Sequence, residues 1–273
     1  MPYLHHDDAE IFYTDEGTGD PTLLLHGWSC DSHDWSFQIP ALLEAGYRVI
    51  ALDHRGHGRS SAPDGSYRPQ VLADDAAALL TELGVESAVV GGHSMGTVVA
   101  SALAVRHPDL VRGLFLVDPV YAATDESLAP ILDAMRGPAP AQAAAAMFGM
   151  AFYVESTPAF LPVWHRRRVL GMPDHVVSGC LLGLYDGDEG LARVVVATDY
   201  LKARTQPRLA LYANPAAMEF ELAFPVGEHD RVLALEGVGH FLHQEQPELA
   251  NGHLLEWLAA LPAAPQTTAS GVA

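Results

Sequence analysis

The sequence is poor in cysteine and contains no long apolar run. Its two cysteines, Cys30 and Cys180, have neither metal-type nor redox-type spacing, so we expect two free thiols. No apolar stretch approaches the length that crosses a bilayer, and no positively charged, apolar leader opens the chain. These features predict a cytoplasmic protein that has no membrane partner.

Basic side chains are also scarce. The chain has 15 lysine and arginine residues against 34 aspartate and glutamate residues, for a formal net charge of −19. Such an acidic surface disfavours nucleic acid and anionic membranes as partners. Neither a cluster of metal ligands nor a dinucleotide fingerprint occurs, so we expect no metal and no organic cofactor. The expected partner is a small-molecule substrate, and the oligomeric state stays open.

The length and composition fit one large α/β domain. Of the 273 residues, 49% are hydrophobic, which supports a sizeable core without a second independent domain. Apolar runs of strand length alternate with helical patterns, which indicates parallel strands joined by crossover helices. Residues 3–19 are expected to form a hairpin with Gly17–Gly19 as its turn. Further strands are predicted near 22–27, 48–53, 87–92, 111–118, 207–213 and 231–236, and helices near 34–45, 69–83, 94–106 and 247–260.

The most informative motif is Gly-His-Ser-Met-Gly at 92–96. It follows an apolar run and precedes a helix-forming run, so it predicts a strand, a sharp turn and a helix. A serine at the tip of so tight a turn needs small residues two positions away on each side, and Gly92 and Gly96 meet that need. Ser94 is therefore the candidate nucleophile, whereas His93 is expected to be a packing residue.

Three further segments accompany this motif. Leu-Leu-Leu-His-Gly-Trp at 23–28 is a strand that leads into a His-Gly turn, and 48–60 is a strand followed by His-Arg-Gly-His-Gly-Arg-Ser. The segment 233–241 is a strand, a glycine turn and His240. With these four segments in this order, the chain resembles the α/β-hydrolase superfamily. The resemblance implies the α/β-hydrolase fold, a mostly parallel eight-stranded sheet flanked by helices, with a helical cap insertion.

The resemblance also implies roles for particular residues. Ser94 would be the nucleophile and His240 the base. The backbone N–H groups of Trp28 and Met95 would form the oxyanion hole, because the family takes one donor from the His-Gly loop and one from the residue after the nucleophile. His26 is expected to hydrogen-bond the loop that shapes this hole.

The region in which the strand signals stop is expected to be the cap. Proline, alanine and methionine become frequent over 120–204, which would leave 1–119 and 205–262 as the hydrolase core. The end of the sequence, 263–273, is low in large apolar residues and is expected to be disordered. The side chains expected to line the substrate pocket are His26, Tyr121, Phe148, Phe152, Tyr153 and Trp164.

The catalytic acid departs from the usual family pattern. The family commonly carries it after the strand predicted near 207–213, but Asn-Pro-Ala-Ala stands there at 214–217. Asp118 ends an earlier strand, and active groups of open parallel sheets gather at such carboxyl ends. Some α/β-hydrolases carry their acid at this strand, so Asp118 is the favoured partner of the catalytic histidine. Glu219 and Glu221 are the alternatives.

An acid at this earlier position is similar to that of certain lactonases, of one subgroup of haloalkane dehalogenases and of cofactor-free dioxygenases of hydroxyquinolones. Dehalogenases and epoxide hydrolases need a carboxylate nucleophile, whereas position 94 is serine. We therefore expect a serine hydrolase that cleaves a carboxylic ester or lactone of a small hydrophobic substrate through an acyl-enzyme. The alternative is a cofactor-independent 2,4-dioxygenase with His240 and Asp118 as its base. The intact Ser–His pair argues against a non-enzymatic small-molecule receptor.

Overall fold

The computed structural model describes residues 2–121, 123–225 and 227–262, and its centre is an eight-stranded sheet. The strands are β1 (Tyr3–His6), β2 (Ala9–Glu16), β3 (Pro21–Leu25), β4 (Arg48–Leu52), β5 (Ala88–His93), β6 (Val111–Val117), β7 (Arg208–Tyr212) and β8 (Arg231–Ala234). They are arranged in the order β1-β2-β4-β3-β5-β6-β7-β8. The β1–β2 and β2–β4 pairs are antiparallel and the other neighbours are parallel, so the expected sheet is confirmed.

The parallel register brings the carboxyl ends of β3, β5, β6 and β7 to one edge of the sheet. Leu25 of β3 pairs with Gly92 of β5, and His93 pairs with Val117 of β6. Val117 pairs in turn with Leu211 of β7. The loops that follow these strands therefore begin side by side, and they carry the candidate site residues.

Helices flank both faces of the sheet. They are α1 (Gln38–Glu44), α2 (Pro69–Glu82), α3 (Met95–Arg106), α4 (Asp125–Met135), α5 (Pro140–Ala151), α6 (Phe160–Leu170), α7 (Asp174–Tyr185), α8 (Val194–Leu201), α9 (Pro215–Leu222), α10 (Leu242–Glu245) and α11 (Pro247–Ala260). On α2, the apolar face with helical spacing, Leu72, Ala76, Leu79 and Leu80, is fully buried against the core. The order of strands and helices matches the alternation that the sequence predicts.

Two local predictions were wrong. The hairpin turns at Asp7–Asp8, where Asp7 has a positive φ of 51°, and Gly17–Gly19 instead joins β2 to β3. The helix predicted from residue 34 begins at Gln38. Before it, the side chain of Asp31 accepts a hydrogen bond from a backbone N–H and starts a short 3-10 turn over Ser32–Trp35. That turn carries a buried aspartate toward the site.

The described residues between β6 and β7 form five helices, α4–α8, which we call the inserted helices. They contact the core at Trp28, whose indole N–H donates to the carbonyl of Val177 on α7 at 3.0 Å. The domain boundaries stay a prediction, and the tail at 263–273 lies outside the described residues. Within the described part of the chain, no helix combines the length and the hydrophobicity needed to cross a membrane.

Candidate active site

Ser94 lies at the sharp turn between β5 and α3. Its φ of 53° and ψ of −117° fall in a region that non-glycine residues rarely adopt. Its backbone N–H donates to the carbonyl of Val117 on β6 at 3.0 Å, and the Thr97 hydroxyl donates to the Ser94 carbonyl at 2.6 Å. These bonds hold the strained turn and present the serine side chain at the carboxyl edge of the sheet.

The two glycines of the elbow leave no room for a side chain. A Cβ on Gly92 would overlap the carbonyl oxygen of Gly96, and a Cβ on Gly96 would overlap the carbonyl oxygen of Leu25. The turn therefore closes only when both positions lack a Cβ. The steric role that the sequence assigns to these glycines is confirmed.

Asp118 and His240 meet at the same edge of the sheet. The Nδ1 atom of His240 lies 2.6 Å from Oδ2 of Asp118, and Oδ1 of Asp118 accepts the backbone N–H of Ala213 at 2.8 Å. Asp118 directly follows Val117, which pairs with the residue before Ser94. His240 also contacts His93, the neighbour of Ser94, so the three candidate residues lie on adjoining segments, and the carboxylate favours the Nδ1–H tautomer of the imidazole.

The backbone of His240 is held from two other sides. Its N–H donates to the carbonyl of Phe152 at 2.9 Å, and its carbonyl lies 3.1 Å from Nε2 of His93. The preceding residue, Gly239, donates its N–H to Glu245 at 2.7 Å. Burial raises the pKa of Glu245, which this backbone hydrogen bond partly offsets. The loop that carries His240 is therefore fixed by groups from β5, α10 and the residue that follows α5.

The two alternative acids lie elsewhere. Glu221 is fully buried and forms ion pairs with Arg204 and Arg208. Glu219 is exposed on α9. The loop after β7 is too short for an acid of its own, because the Asn214 side chain accepts the N–H of Ala216 and α9 begins at once. Of the three candidate acids, Asp118 is the one hydrogen-bonded to His240.

The two expected oxyanion donors belong to segments that adjoin Ser94. Met95 directly follows Ser94, and Gly27, the residue before Trp28, packs so close to Ser94 that a Cβ on Gly27 would lie 3.3 Å from the serine Cβ. Among the described residues, no backbone acceptor meets the N–H of Trp28. Met95 is the first residue of α3, so its N–H has no intrahelical partner. Both amides are therefore available to a developing negative charge.

A buried carboxylate, which sequence reasoning missed, lies behind these groups. Asp34 is fully buried and accepts the backbone N–H of Gly27 at 3.0 Å. It also accepts from Nδ1 of His93 at 2.7 Å and from the amide of Gln244 at 2.5 Å. The expectation that His93 serves only to pack is wrong, since both of its ring nitrogens face hydrogen-bond acceptors. The one sequence signal for this cluster is an aspartate beside Trp35 in the His-Gly loop.

Aromatic side chains cover the candidate centre around Ser94 and His240. The ring of Phe152 packs on that of His240 at a tilt of 34° with the centroids 4.3 Å apart, and Phe148 lies 4.6 Å from Phe152 and 5.7 Å from Trp28. Ser94 is 8% exposed and the His240 side chain 9% exposed, so the centre is nearly closed. A cleft of about 780 Å³ at the opposite, amino-terminal ends of β6–β8 contains none of these groups.

Two predicted pocket residues do not face this centre. Trp164 is 46% exposed on the outer side of α6, where it packs on Phe160. Tyr121 is buried, and its hydroxyl is hydrogen-bonded to Ser101 and to the carbonyl of Thr97 on α3. Tyr121 therefore anchors the segment after β6 to the core.

Two other predicted pocket residues, Tyr153 and His26, form hydrogen bonds near the candidate site. Tyr153 directs its hydroxyl to Nδ1 of His165 at 3.0 Å. His26 is fully buried, with Nδ1 donating to the carbonyl of Gly27 at 2.8 Å and Nε2 accepting the N–H of His54 at 2.9 Å. Burial lowers the pKa of His26, so the ring is neutral and shapes the loop, as predicted, without lining an open pocket.

Three buried side chains lie close enough together to be considered as ligands of a metal ion. Ligand atoms of Asp34, His93 and His243 lie within 4.8 Å of one another. A cation between them would face the N–H of Gly27 and the amide of Gln244, both of which already donate to Asp34. This set of groups fits a hydrogen-bonded cluster better than a metal site.

A family model described as the alpha/beta hydrolase fold matches residues 20–168. The match covers more than half of the chain, and the chain therefore belongs to the α/β-hydrolase family of enzymes.

Two curated proteins match over part of the chain. A non-heme haloperoxidase of Rhodococcus erythropolis is 43% identical over 108 residues, which are 39% of this chain and 39% of that protein. A bifunctional esterase/perhydrolase of Acinetobacter calcoaceticus is 38% identical over 128 residues, 46% of this chain and 44% of the relative. The chain therefore spans less than half the length of these relatives.

Two solved structures match over almost the whole chain. A thermophilic esterase from Thermogutta terrifontis is 30% identical with a TM-score of 0.79, over 93% of this chain and 95% of that one. An enol-lactonase from Burkholderia xenovorans, at 22% identity, has a TM-score of 0.80 over 94% and 100% of the two chains. The second likeness shows a shared fold alone.

Proposed function

We propose that the protein is a serine hydrolase that cleaves a carboxylic ester or lactone of a small hydrophobic substrate through an acyl-enzyme. Ser94 attacks the carbonyl carbon, and His240 takes the serine proton and returns it to the leaving alcohol. Asp118 orients His240 and stabilises its imidazolium form. The observation that carries the proposal is the 2.6 Å contact between Asp118 and His240 beside the serine elbow.

The oxyanion that forms in this reaction accepts hydrogen bonds from the N–H groups of Trp28 and Met95. Loss of one such donor typically costs about 2.7–4 kcal/mol of transition-state stabilisation. Water then attacks the acyl-enzyme with His240 as the base, which releases the carboxylic acid and restores the serine. Each step uses groups of the chain, the substrate and water.

The surroundings of the centre favour an apolar substrate. Trp28, Phe148 and Phe152 present aromatic surface next to His240. The low exposure of Ser94 favours a compact acyl group, or a movement of the inserted helices when the substrate enters. A small-molecule substrate also agrees with the acidic surface, since a formal net charge of −19 disfavours nucleic acid.

The similar proteins include hydrolases of esters and of epoxides. An esterase is similar over most of the chain, and an epoxide hydrolase of Mycobacterium tuberculosis is 42% identical over 106 residues, 38% of this chain. Epoxide opening through a covalent ester needs a carboxylate nucleophile, whereas position 94 is serine. The nucleophile therefore favours ester or lactone cleavage.

A second candidate is a cofactor-independent 2,4-dioxygenase of a hydroxyquinolone-type heterocycle. The His240–Asp118 pair favours it, because this pair is a complete base without the serine. In that reaction His240 removes the proton of the substrate hydroxyl. Oxygen consumption with a hydroxyquinolone would distinguish this activity from hydrolysis.

The test is active-site labelling with a fluorophosphonate, followed by mass spectrometry of the peptide that contains Ser94. We expect one adduct on Ser94 that is lost in Ser94→Ala and in His240→Ala. Ser36→Ala, at an exposed serine, is the matched control and should label like the wild type. A folded wild-type protein without any adduct would contradict the hydrolase and favour the dioxygenase.

A further inference from the structure

Asp34 connects three parts of the reaction centre. It binds the His-Gly loop through the N–H of Gly27 and the serine elbow through Nδ1 of His93. Through the amide of Gln244 it also binds α10, the helix that follows His240. One fully buried carboxylate therefore contacts all three segments that carry the catalytic groups.

The carboxyl group of Asp34 is ionised. Burial alone would raise the pKa of Asp34, but attraction to His93 and His243 and the hydrogen bond from His93 outweigh burial and hold that pKa well below its usual value. A carboxylate that accepts several hydrogen bonds is stabilised in its charged form. A buried negative charge of this kind requires a positive partner.

Two histidines face this carboxylate, and His93 is the one that is hydrogen-bonded to it, whereas Nε2 of His243 lies 3.7 Å away. The Nδ1 atom of His93 lies 2.7 Å from Oδ2 of Asp34, and its Nε2 lies 3.1 Å from the carbonyl oxygen of His240. Neither oxygen carries a proton. A neutral imidazole has one N–H, so it would leave one ring nitrogen with its lone pair against an oxygen, whereas an imidazolium donates to both. The hydrogen-bond pattern therefore assigns a proton to each nitrogen.

The second donation fixes the catalytic histidine. His240 is already bound through Nδ1 to Asp118 and through its N–H to Phe152. The bond from His93 to its carbonyl adds a third point, so the peptide units on both sides of His240 are fixed. His93 lies next to the nucleophile in sequence, so one side chain sets the distance between the elbow and the histidine loop.

The cluster extends to the inserted helices. Nε2 of His165 on α6 donates to the amide oxygen of Gln244 at 3.2 Å, and Tyr153 donates its hydroxyl to Nδ1 of His165. Burial lowers the pKa of His165 to about 4, so this ring is neutral and transmits hydrogen bonds without adding charge. Tyr153 adjoins Phe152, which covers His240. The inserted helices and the elbow are thus linked through Asp34.

We propose that Asp34 and His93 form a buried ion pair that positions His240 and the oxyanion loop, a role that rests on the serine-hydrolase function proposed above. Asp34 and His93 are positioning residues, because neither touches the reacting atoms. The pair acts on the turnover step, since the geometry that it fixes is needed only once the substrate is bound.

The first arm of the test does not depend on activity. Nitrogen-15 NMR of histidine-labelled protein at neutral pH should show both ring nitrogens of His93 protonated, with the signals assigned by their loss in His93→Gln. In Asp34→Leu, without the carboxylate, one ring nitrogen should lose its proton. A resting His93 with one unprotonated ring nitrogen would overturn the ion pair.

The second arm is kinetic, with an activated ester as substrate. His93→Gln should lower kcat by about 10²-fold with KM nearly unchanged, because a misplacement of about 1 Å costs roughly that much. The double variant Asp34→Leu/His93→Phe removes both charges, so it should fold and still lose kcat. Asn251→Ala is the matched control: it breaks hydrogen bonds to Gln38 and Phe37 in the same region, and its kcat should stay at the wild-type value.

Two outcomes separate this inference from the function on which it rests. Wild-type kcat in the double variant would overturn the positioning role and leave the hydrolase intact. A wild type that neither hydrolyses the ester nor reacts with a fluorophosphonate would refute the hydrolase, and the ring-nitrogen signals of His93 would then decide the ion pair on their own.

Discussion

Asp118→Asn is the most informative perturbation of the proposed reaction centre, because the two carboxylate oxygens have different partners. Oδ2 lies 2.6 Å from Nδ1 of His240, and Oδ1 accepts the N–H of Ala213 at 2.8 Å. An amide offers one acceptor and one donor group, so it cannot serve two donors. Either orientation of the new side chain therefore breaks one of these bonds.

The two orientations have different consequences. If the amide nitrogen faces His240, Nδ1 must accept, the ring proton moves to Nε2, and the ring cannot take the proton of Ser94. A triad with this wrong tautomer loses about 10⁴-fold in kcat, equivalent to about 5 kcal/mol of barrier. If the amide nitrogen faces Ala213 instead, two donors oppose each other at a partly buried site, which costs about 1–3 kcal/mol of stability.

The assay is steady-state hydrolysis of an activated ester, with the unfolding midpoint in urea measured in parallel. We expect a fall in kcat of about three to four orders of magnitude. Glu219→Gln removes an exposed carboxylate near β7 and should leave kcat unchanged. A value of kcat within a few-fold of wild type in Asp118→Asn would refute Asp118 as the orienting acid.

Three predictions concern stability. His54→Phe should raise the free energy of unfolding in urea by about 1–3 kcal/mol, because both ring nitrogens of His54 are buried without a partner among the described residues; a fall would contradict this. Burial lowers the pKa of His57 to about 3 and that of His165 to about 4 from 6.5, so stability should fall as the pH drops below about 6.5, where the unfolded chain takes up protons that the folded chain does not. The free energy of unfolding should fall by up to about 1.4 kcal/mol per pH unit for each group, and a free energy that does not change down to pH 5 would contradict this prediction. Glu221→Gln should cost about 3–5 kcal/mol, since it leaves buried arginine charge uncompensated, and should spare kcat.

The sequence predicts those structural features that depend on residues close to one another along the chain. Gly92 and Gly96 are needed because the backbone of the same turn and of the adjoining strand leaves no room for a Cβ. The short sequence motif therefore identifies the sharp turn that holds Ser94. The bounds of the six strands β3–β8 agree to within two residues, because period and composition are local signals. The predicted start of the helix at 34–45 was wrong, because a single side-chain hydrogen bond, accepted by Asp31, begins a 3-10 turn there, and a helical periodicity does not register one such bond.

Other features depend on which strand ends become neighbours. Asp118 and His240 are 122 positions apart, and the sequence favoured Asp118 but left Glu219 and Glu221 as alternatives. The choice follows from the register of the sheet and from the ion pairs that hold Glu221 in the core. The Asp34 cluster was missed for the same reason: its partners His93 and Gln244 are 59 and 210 positions away.

The pocket was the least predictable part of the site. Phe148 and Trp164 belong to the inserted helices and Phe152 directly follows α5, yet Trp164 faces outward. On short helices with apolar residues on several sides, composition does not tell which side packs on the core. The side that meets His240 is fixed by the backbone bond between Phe152 and His240, which no local pattern encodes.

The central claim is that Ser94 becomes acylated during turnover. The most direct measurement is the mass of the protein after a rapid acid quench from an activated acetate ester, with the modified residue located by peptide sequencing. We predict one acetyl group on Ser94 in the wild type and none in Ser94→Ala. Turnover of the ester with no acyl group on Ser94 would contradict the account.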